Sequence, residues 1–112
     1  MKVSELEGVA LDWAVALCEV GPIDIKDIDD PHFYSTDWSE GGPIIEREGI
    51  NLDNYAKNPK WSAWTPAPDR ESGEAQAYGP TPLIAAMRCY VASRLGEEID
   101  VPEALLNQKG EM

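Results

Sequence analysis

The sequence predicts an α+β fold, in which two main helices pack on a small antiparallel sheet with long loops. Apolar residues recur at helical spacing in two stretches, one towards each end of the chain. Between these stretches, short apolar runs are separated by glycine and proline, which indicates short strands and loops. At 112 residues the chain has the length of a single compact domain, which we expect to span residues 1–112 with a tail that frays from about residue 107.

The first predicted helix begins with a capping box and ends at Gly21-Pro22. Ser4 followed three residues later by Glu7 has the spacing at which side chains and backbone amides satisfy one another. Proline cannot continue the helical hydrogen-bond ladder, and the glycine before it accepts a left-handed cap. We expect the apolar stripe to face the core and the acids between its members to face solvent. The stripe is Leu6, Trp13 and Leu17, and the acids are Glu5, Asp12 and Glu19.

Three short strands are predicted, from the Ile23, Ile44 and Trp61 regions. The first alternates apolar and polar residues in "IDIKDIDD". The second, "PIIEREGI", follows a turn predicted at Gly41-Gly42-Pro43, and the third is "KWSAWTP". The rest of residues 51–78 is predicted to be irregular. The aspartates of residues 24–30 lack the central glycine and terminal glutamate of a calcium loop, which favours a solvated acidic run.

The second predicted helix has clear signals at both ends. Thr81 is an N-cap, Pro82 occupies the first helical position, where its missing N–H costs nothing, and Gly96 ends the helix. One further helical turn is expected at residues 102–106. The apolar stripe of this helix is Leu83, Ile84, Met87, Tyr90, Val91 and Leu95. The predicted core is Leu6, Trp13, Leu17, Ile45, Leu83, Ile84, Met87, Val91 and Leu95.

The composition is strongly acidic, with 21 acids against 9 basic residues and a net charge of −12. Such a surface repels phosphate backbones, which disfavours direct nucleic-acid binding. Three explanations stay open: solubility, a basic protein partner (including one met by imitating DNA), or a small ligand held locally by arginines. No apolar run approaches the roughly 20 residues that span a bilayer, and "MKVSELEG" lacks a hydrophobic signal core. We therefore expect a soluble, intracellular protein without membrane contact.

Two long motifs carry a resemblance to a known family. They are "STDWSEGGPIIEREGI" and "GPTPLIAAMRCYVASRLG", and "LDWAVA" in the first helix matches the family's opening. The chain resembles the NinX-like proteins of tailed phages, which are encoded in the nin region of lambdoid phages. The resemblance extends from about Val3 to Gly96, except for the region from Asn54 to Gly73. It implies a phage accessory protein acting in the host cytoplasm, and it supplies no catalytic residues.

The residues give little support to an enzyme. The one histidine, His32, lies in a predicted loop, and neighbouring Ser35, Thr36 and Asp37 do not by sequence proximity form a triad. No spacing predicts a metal site, and the two cysteines, Cys18 and Cys89, are expected to be free thiols among apolar neighbours. We therefore expect no enzymatic activity, cofactor or metal.

The start of the second helix is a candidate anion site, because no carboxylate follows Thr81 before Glu97. Free N–H groups at Leu83 and Ile84 would face the anion, and Arg88 or Arg47 would complete the clamp. Aromatic side chains on loops could stack on a base, although they equally serve to pin loops to a core. Arg88 could instead pair with an acid of the first helix or with Glu46 or Glu48. The candidate ligand-binding residues are Thr81, Leu83, Arg88, Arg47, Trp38, Tyr78, Trp61 and Trp64.

The leading hypothesis is a non-enzymatic phage protein that binds a small phosphorylated or nucleotide-like ligand and so sequesters a host immune signal. Under this hypothesis, Arg88→Ala should abolish ligand binding and leave the fold intact. The alternative is an acidic inhibitor that binds a host protein, with imitation of DNA as one way of doing so. The sequence leaves the oligomeric state open, including a homo-oligomer.

Overall fold

The computed structural model describes residues 2–20, 33–54, 61–66 and 73–101, which form an α+β fold. A short 3-10 helix precedes three α-helices and three strands. In chain order these are the 3-10 helix Val3–Glu5, α1 Gly8–Val20, α2 Trp38–Glu48, β1 Asn51–Asn54, β2 Trp61–Pro66, β3 Glu74–Gly79 and α3 Pro82–Leu95.

The strands form one antiparallel sheet in the order β1-β2-β3. In the β2–β3 pair, Trp61 lies opposite Gly79 and Pro66 lies opposite Glu74. Burial alternates along β3, with Ala75, Ala77 and Gly79 buried and the residues between them exposed. The buried side faces α3, which contacts all three strands. One face of the sheet is thus built from small residues that let a helix lie close to it.

Helix α3 is the centre of the molecule. It contacts the sheet as well as α1 and α2, so it is buried on several sides rather than along one stripe. Tyr90 is only 1% exposed, and Leu11 and Val15 of α1 and Ile44 of α2 complete the same core. A helix that is apolar nearly all round is typical of this central position. The predicted bounds of α3 are confirmed, including the Thr81 cap, whose Oγ1 accepts a hydrogen bond from the Ile84 amide.

The predicted strand in the Ile44 region is wrong, because this segment forms α2. Asp37 caps the helix by accepting from the Ser39 amide, and Gly41 and Pro43 lie inside it. Glycine and proline lower helix propensity, but Gly41 allows the backbone to approach Tyr34 and the Leu83 side chain. Tertiary packing therefore overrides a local turn signal.

The prediction of irregular structure is wrong for residues 51–54 and 74–78, where β1 and β3 lie. The strand predicted at Trp61 is confirmed as β2. The segment "EAQAYG" of β3 lacks the β-branched residues that usually mark a strand, because its buried positions must be small. The predicted strand at Ile23, the helix end at Gly21-Pro22, His32, the turn at residues 102–106 and the frayed tail lie outside the described residues.

The predicted core is confirmed in part. Leu6, Trp13, Leu83, Met87 and Val91 are buried, whereas Leu95 is 38% exposed. Leu17, Ile45 and Ile84 are partly buried and pack against the core.

Two predictions for the first helix are wrong. The capping box does not start it, since Ser4 lies in the 3-10 helix and α1 begins at Gly8. Asp12 is buried rather than solvated, because its Oδ1 accepts a hydrogen bond of 2.8 Å from the Ser35 amide. Burial raises the pKa of the Asp12 carboxyl, against the effect of its bonds to Ser35.

The adjacent glycines of α2 should respond oppositely to alanine. A Cβ at Gly41 would meet the Tyr34 carbonyl and lie 2.6 Å from Leu83 Cδ1, whereas one at Gly42 would lie 3.8 Å from the Trp38 ring. Gly41→Ala should lower the free energy of unfolding by about 1–3 kcal/mol through overpacking. Gly42→Ala should raise it by about 0.5–1 kcal/mol through helix propensity. Urea unfolding measures both, and a stabilised Gly41→Ala variant would contradict the described packing of α2.

Candidate functional site: a cleft beside strand β3

A cleft of about 770 Å³ lies along one side of β3. One wall is formed by residues 76–80, and the opposite wall by residues 2–4 with Glu97 and Glu98; Arg88 and Ala92 of α3 also line it. The second wall exists because Lys2 and Glu98 form an antiparallel bridge, in which the Val3 amide donates to the Glu97 carbonyl at 2.8 Å. The cleft volume falls within the range of about 300–1,000 Å³ found for small-molecule sites.

Arg88 joins the two walls of this cleft. It is 9% exposed; its Nε donates to the Leu6 carbonyl at 2.7 Å and its Nη1 to the Tyr78 carbonyl at 2.8 Å. Burial lowers the pKa of the guanidinium, while the nearby Glu7 carboxylate acts in the opposite direction. The hydrogen bonds of the guanidinium thus go to backbone carbonyls, and the carboxylate of Glu7, an acid of the predicted first helix, adds an electrostatic attraction. Arg88 thus has a structural role in addition to its place in the cleft.

The first turn of α3 is covered by neighbouring residues, whereas the anion hypothesis needs free backbone amides there. The Ile84 amide, which the hypothesis takes to be free, donates to Thr81 Oγ1 at 3.1 Å. Leu83 is 2% exposed and lies against Gly41. On the other side, a Cβ at Gly79 would lie only 2.7 Å from the Ala85 amide nitrogen, so the end of β3 packs closely on the first turn. Anion binding at this helix start stays a prediction.

Arg47 lies away from the cleft, in a network that links the three α-helices. Its Nη1 and Nη2 donate to the two Glu19 carboxylate oxygens at 3.0 and 2.6 Å, and its Nε donates to Glu48 at 2.8 Å. The Tyr90 hydroxyl donates to Glu19 Oε2 at 2.5 Å, and Arg94 donates to Glu48 at 2.9 Å. The bidentate Arg47–Glu19 pair therefore ties α1 to α2, and Tyr90 adds α3.

The network shifts the pKa values of its members in the expected directions. Hydrogen bonds from Arg47 lower the pKa of Glu19, and these bonds outweigh its partial burial. Burial and the hydrogen bond to Glu19 raise the pKa of Tyr90. Burial also raises the pKa of Cys18 to about 12, so this free thiol is neutral at physiological pH and a poor nucleophile.

The predicted ligand-binding residues are brought together only in part. Tyr78 and Arg88 line the cleft. Trp64 is 40% exposed and lies opposite Gln76, so it shares with Tyr78 the sheet face away from α3. Trp38 is 53% exposed on α2, and Trp61 packs against the core. The sequence reasoning missed Lys2, Glu97 and Glu98, because only the bridge between distant segments places them beside β3.

Within the described parts of the chain, no group of three His, Cys, Asp or Glu residues could hold a metal ion. The helices described there are all too short or too polar to cross a membrane.

A comparison with protein families agrees with the motifs of α2 and α3. The family model of bacteriophage P22 NinX matches residues 2–94, which include every described helix and strand almost to the end of α3. The chain belongs to the NinX family. No curated protein matches the sequence. Membership in a phage family indicates a phage accessory protein, and the NinX match spans both walls of the cleft except for Glu97 and Glu98.

Glu19→Gln should destabilise this NinX family member in a pH-dependent way. Because the folded-state pKa of Glu19 is lowered, its contribution is fully present above the unfolded value of 4.5 and is lost as pH falls through the lowered folded pKa. Since Arg47 is half exposed, we expect a loss of about 1 kcal/mol at pH 7 that vanishes in acid. Urea unfolding from pH 7 to pH 2 checks this. Glu46→Gln, an exposed carboxylate on α2, is the control; equal losses would contradict a specific role of Glu19.

Arg88→Ala should destabilise the fold, contrary to the expectation that it leaves the fold intact. The substitution leaves the Leu6 and Tyr78 carbonyls without their guanidinium donor and opens a void beside α3. We expect a loss of about 2–4 kcal/mol in the free energy of unfolding. Arg88→Lys, which keeps one charged donor, should lose less. Unfolding curves in urea provide the measurement, and wild-type stability of Arg88→Ala would show that these bonds contribute little.

Proposed function

We propose that this NinX family member is a non-enzymatic accessory protein that acts in the host cytoplasm by binding a basic host protein. The observation that supports the proposal is a difference between the basic and the acidic side chains of the described residues. In the described residues, all three arginines, Arg47, Arg88 and Arg94, are bonded to carboxylates or carbonyls of the chain itself. Carboxylates remain exposed on several elements, namely Glu5, Asp37, Glu46, Asp53, Glu98 and Asp100.

This arrangement favours a partner of opposite charge over an anionic ligand. A net charge of −12 on a small domain produces a field that speeds the approach of a basic surface and repels phosphate groups. The exposed carboxylates occur on α2, on β1 and near both cleft walls, so the negative potential is distributed over the molecule. A host protein that ordinarily binds DNA is a special case of such a partner.

A second candidate function is binding of a small phosphorylated or nucleotide-like molecule, which would sequester a host immune signal. The cleft supports it by its volume, by the half-exposed Tyr78 and by the guanidinium of Arg88. Against it, Arg88 already donates two hydrogen bonds to carbonyls, and Glu97 and Glu98 stand on the opposite wall. We therefore place this candidate second.

Salt-dependent capture tests the leading proposal. Immobilised protein should retain a host protein at about 0.1 M salt and release it at about 1 M, where the Debye length falls from about 10 Å to about 3 Å. The retained protein is then identified and purified, and its affinity is measured with and without duplex DNA as competitor. A double variant, Glu46→Lys with Asp53→Lys, should bind more weakly, whereas Glu46→Asp should bind like wild type. Absence of any salt-sensitive partner would contradict the proposal.

Calorimetry with mono-, di- and cyclic nucleotides tests the second candidate. Tyr78→Ala should weaken any nucleotide that stacks in the cleft, and it spares the bonds of the Arg88 side chain because these reach the Tyr78 backbone. Trp38→Ala, on α2 and apart from the residues that line the cleft, is the matched control for loss of an exposed ring. If no nucleotide gives a heat of binding and a salt-sensitive protein partner is found, the second candidate is contradicted and the leading proposal is supported.

A further inference from the structure

Strand β3 is the last strand of the described sheet, and its outer edge borders the cleft. In an antiparallel sheet, alternate residues of an edge strand direct both backbone groups either to the neighbouring strand or away from it. The residues that direct them away form a row of donors and acceptors with which another strand can pair. Which backbone N–H and C=O groups of β3 are available in the cleft therefore depends on whether each residue faces β2 or the cleft.

Two observations define this direction. Pro66 lies opposite Glu74 and has no N–H, so this pair does not exchange two hydrogen bonds. The Tyr78 carbonyl accepts a hydrogen bond from Arg88, a residue that lines the cleft. This carbonyl therefore points away from β2. Glu74 and Tyr78 are an even number of residues apart, so both observations give the same alternation. Accordingly Ala75, Ala77 and Gly79 pair with β2, and the backbone of Gln76 and the amide of Tyr78 face the cleft.

We propose that the cleft binds an extended segment of the partner protein, which adds to β3 as a fourth strand and places a lysine or arginine beside Tyr78. The inference rests on the proposed function and names its site. Strand addition obtains affinity from main-chain hydrogen bonds and specificity from alternate side chains. Residues 76–79 of β3 offer roughly 13 Å of edge in the cleft, at about 3.3 Å per residue, which is enough for a segment of about four residues.

Charge and shape both favour a basic extended segment. The chain segments at the cleft, residues 2–7, 74–80 and 97–101, contain six carboxylates, against which stand the cations Lys2 and Arg88. Arg88 directs its charge to two carbonyls of the chain. The Tyr78 ring is 48% exposed and can accept a cation over its face. Small residues, Ala77, Gly79 and Ala92, line the cleft and leave room for a backbone.

Hydrogen–deuterium exchange of the free protein tests the edge directly. The amides of Gln76 and Tyr78 should exchange quickly, whereas those of Ala75, Ala77 and Gly79 should be protected by pairing with β2. Protection of the Gln76 amide in a monomer would overturn the proposal, because the edge would then already be covered. If the Gln76 amide becomes protected only as the protein concentration rises, a second copy of this chain covers the edge, and this result would also overturn the proposal.

Peptide binding tests the occupant. The probe is a fluorescein-labelled library of seven-residue peptides in which lysine alternates with valine, threonine or isoleucine. A glutamate-for-lysine library and a backbone-N-methylated library are its controls. We expect the lysine library alone to bind, at low salt, and to slow exchange at Gln76. Gln76→Pro, which removes the edge N–H, should weaken binding about tenfold, and Gln76→Ala, which keeps it, should bind like wild type.

Variants of Tyr78 and the purified partner complete the test. Tyr78→Phe should retain peptide binding and Tyr78→Ala should lose several-fold. Circular dichroism and unfolding curves verify that Gln76→Pro is folded. Equal binding of all libraries, or of Gln76→Pro and Gln76→Ala, would overturn the inference. A salt-sensitive partner that binds Gln76→Pro with wild-type affinity would overturn strand addition and leave the proposed function standing; absence of such a partner would remove the proposed function itself.

Discussion

The interaction on which the rest of the structure depends is the pair of hydrogen bonds from the Arg88 guanidinium to two backbone carbonyls. From the central helix the guanidinium reaches the carbonyl of Leu6 at the end of the 3-10 helix and that of Tyr78 near the end of β3. These two segments adjoin the two walls of the cleft, so a single buried cation links them, in addition to the bridge between Lys2 and Glu98. A charge in this position is stable because backbone carbonyls replace the water it has lost.

The same use of arginine explains the electrostatic character of the molecule. Arg47 and Arg94 are paired with Glu19 and Glu48 where the three α-helices meet, so these two cations connect elements of the described chain to one another. Exposed carboxylates remain on several elements of the described chain, and the net charge of the sequence is −12. A protein built in this way is suited to a basic partner, and the edge of β3 adds main-chain groups that charge alone does not supply.

The parts of the fold that the sequence predicted have strong local signals. Thr81, Pro82 and Gly96 mark both ends of α3, and "KWSAWTP" contains β2. The failures occurred where packing opposes local preference. Gly41 and Pro43 suggest a turn, yet Gly41 is what lets α2 approach Leu83, and β3 was missed because its buried residues are alanine and glycine. Arg88 and Tyr78 were nominated from sequence as parts of one site, but their joining through the Tyr78 carbonyl could not be read from spacing.

The sequence by itself determined the strong net charge, the position and caps of α3, and the NinX-like motifs. It was also enough to predict Arg88 and Tyr78 as members of a candidate site. These are local or compositional properties that each segment carries alone. The tertiary structure decided that "PIIERE" is helical, that Asp12 is buried, and that Lys2 and Glu98 face β3 across a cleft. It also decided that Arg88 donates to the carbonyls of Leu6 and Tyr78. Each of these depends on contacts between distant segments, where packing against α3 outweighs the propensity of a few residues.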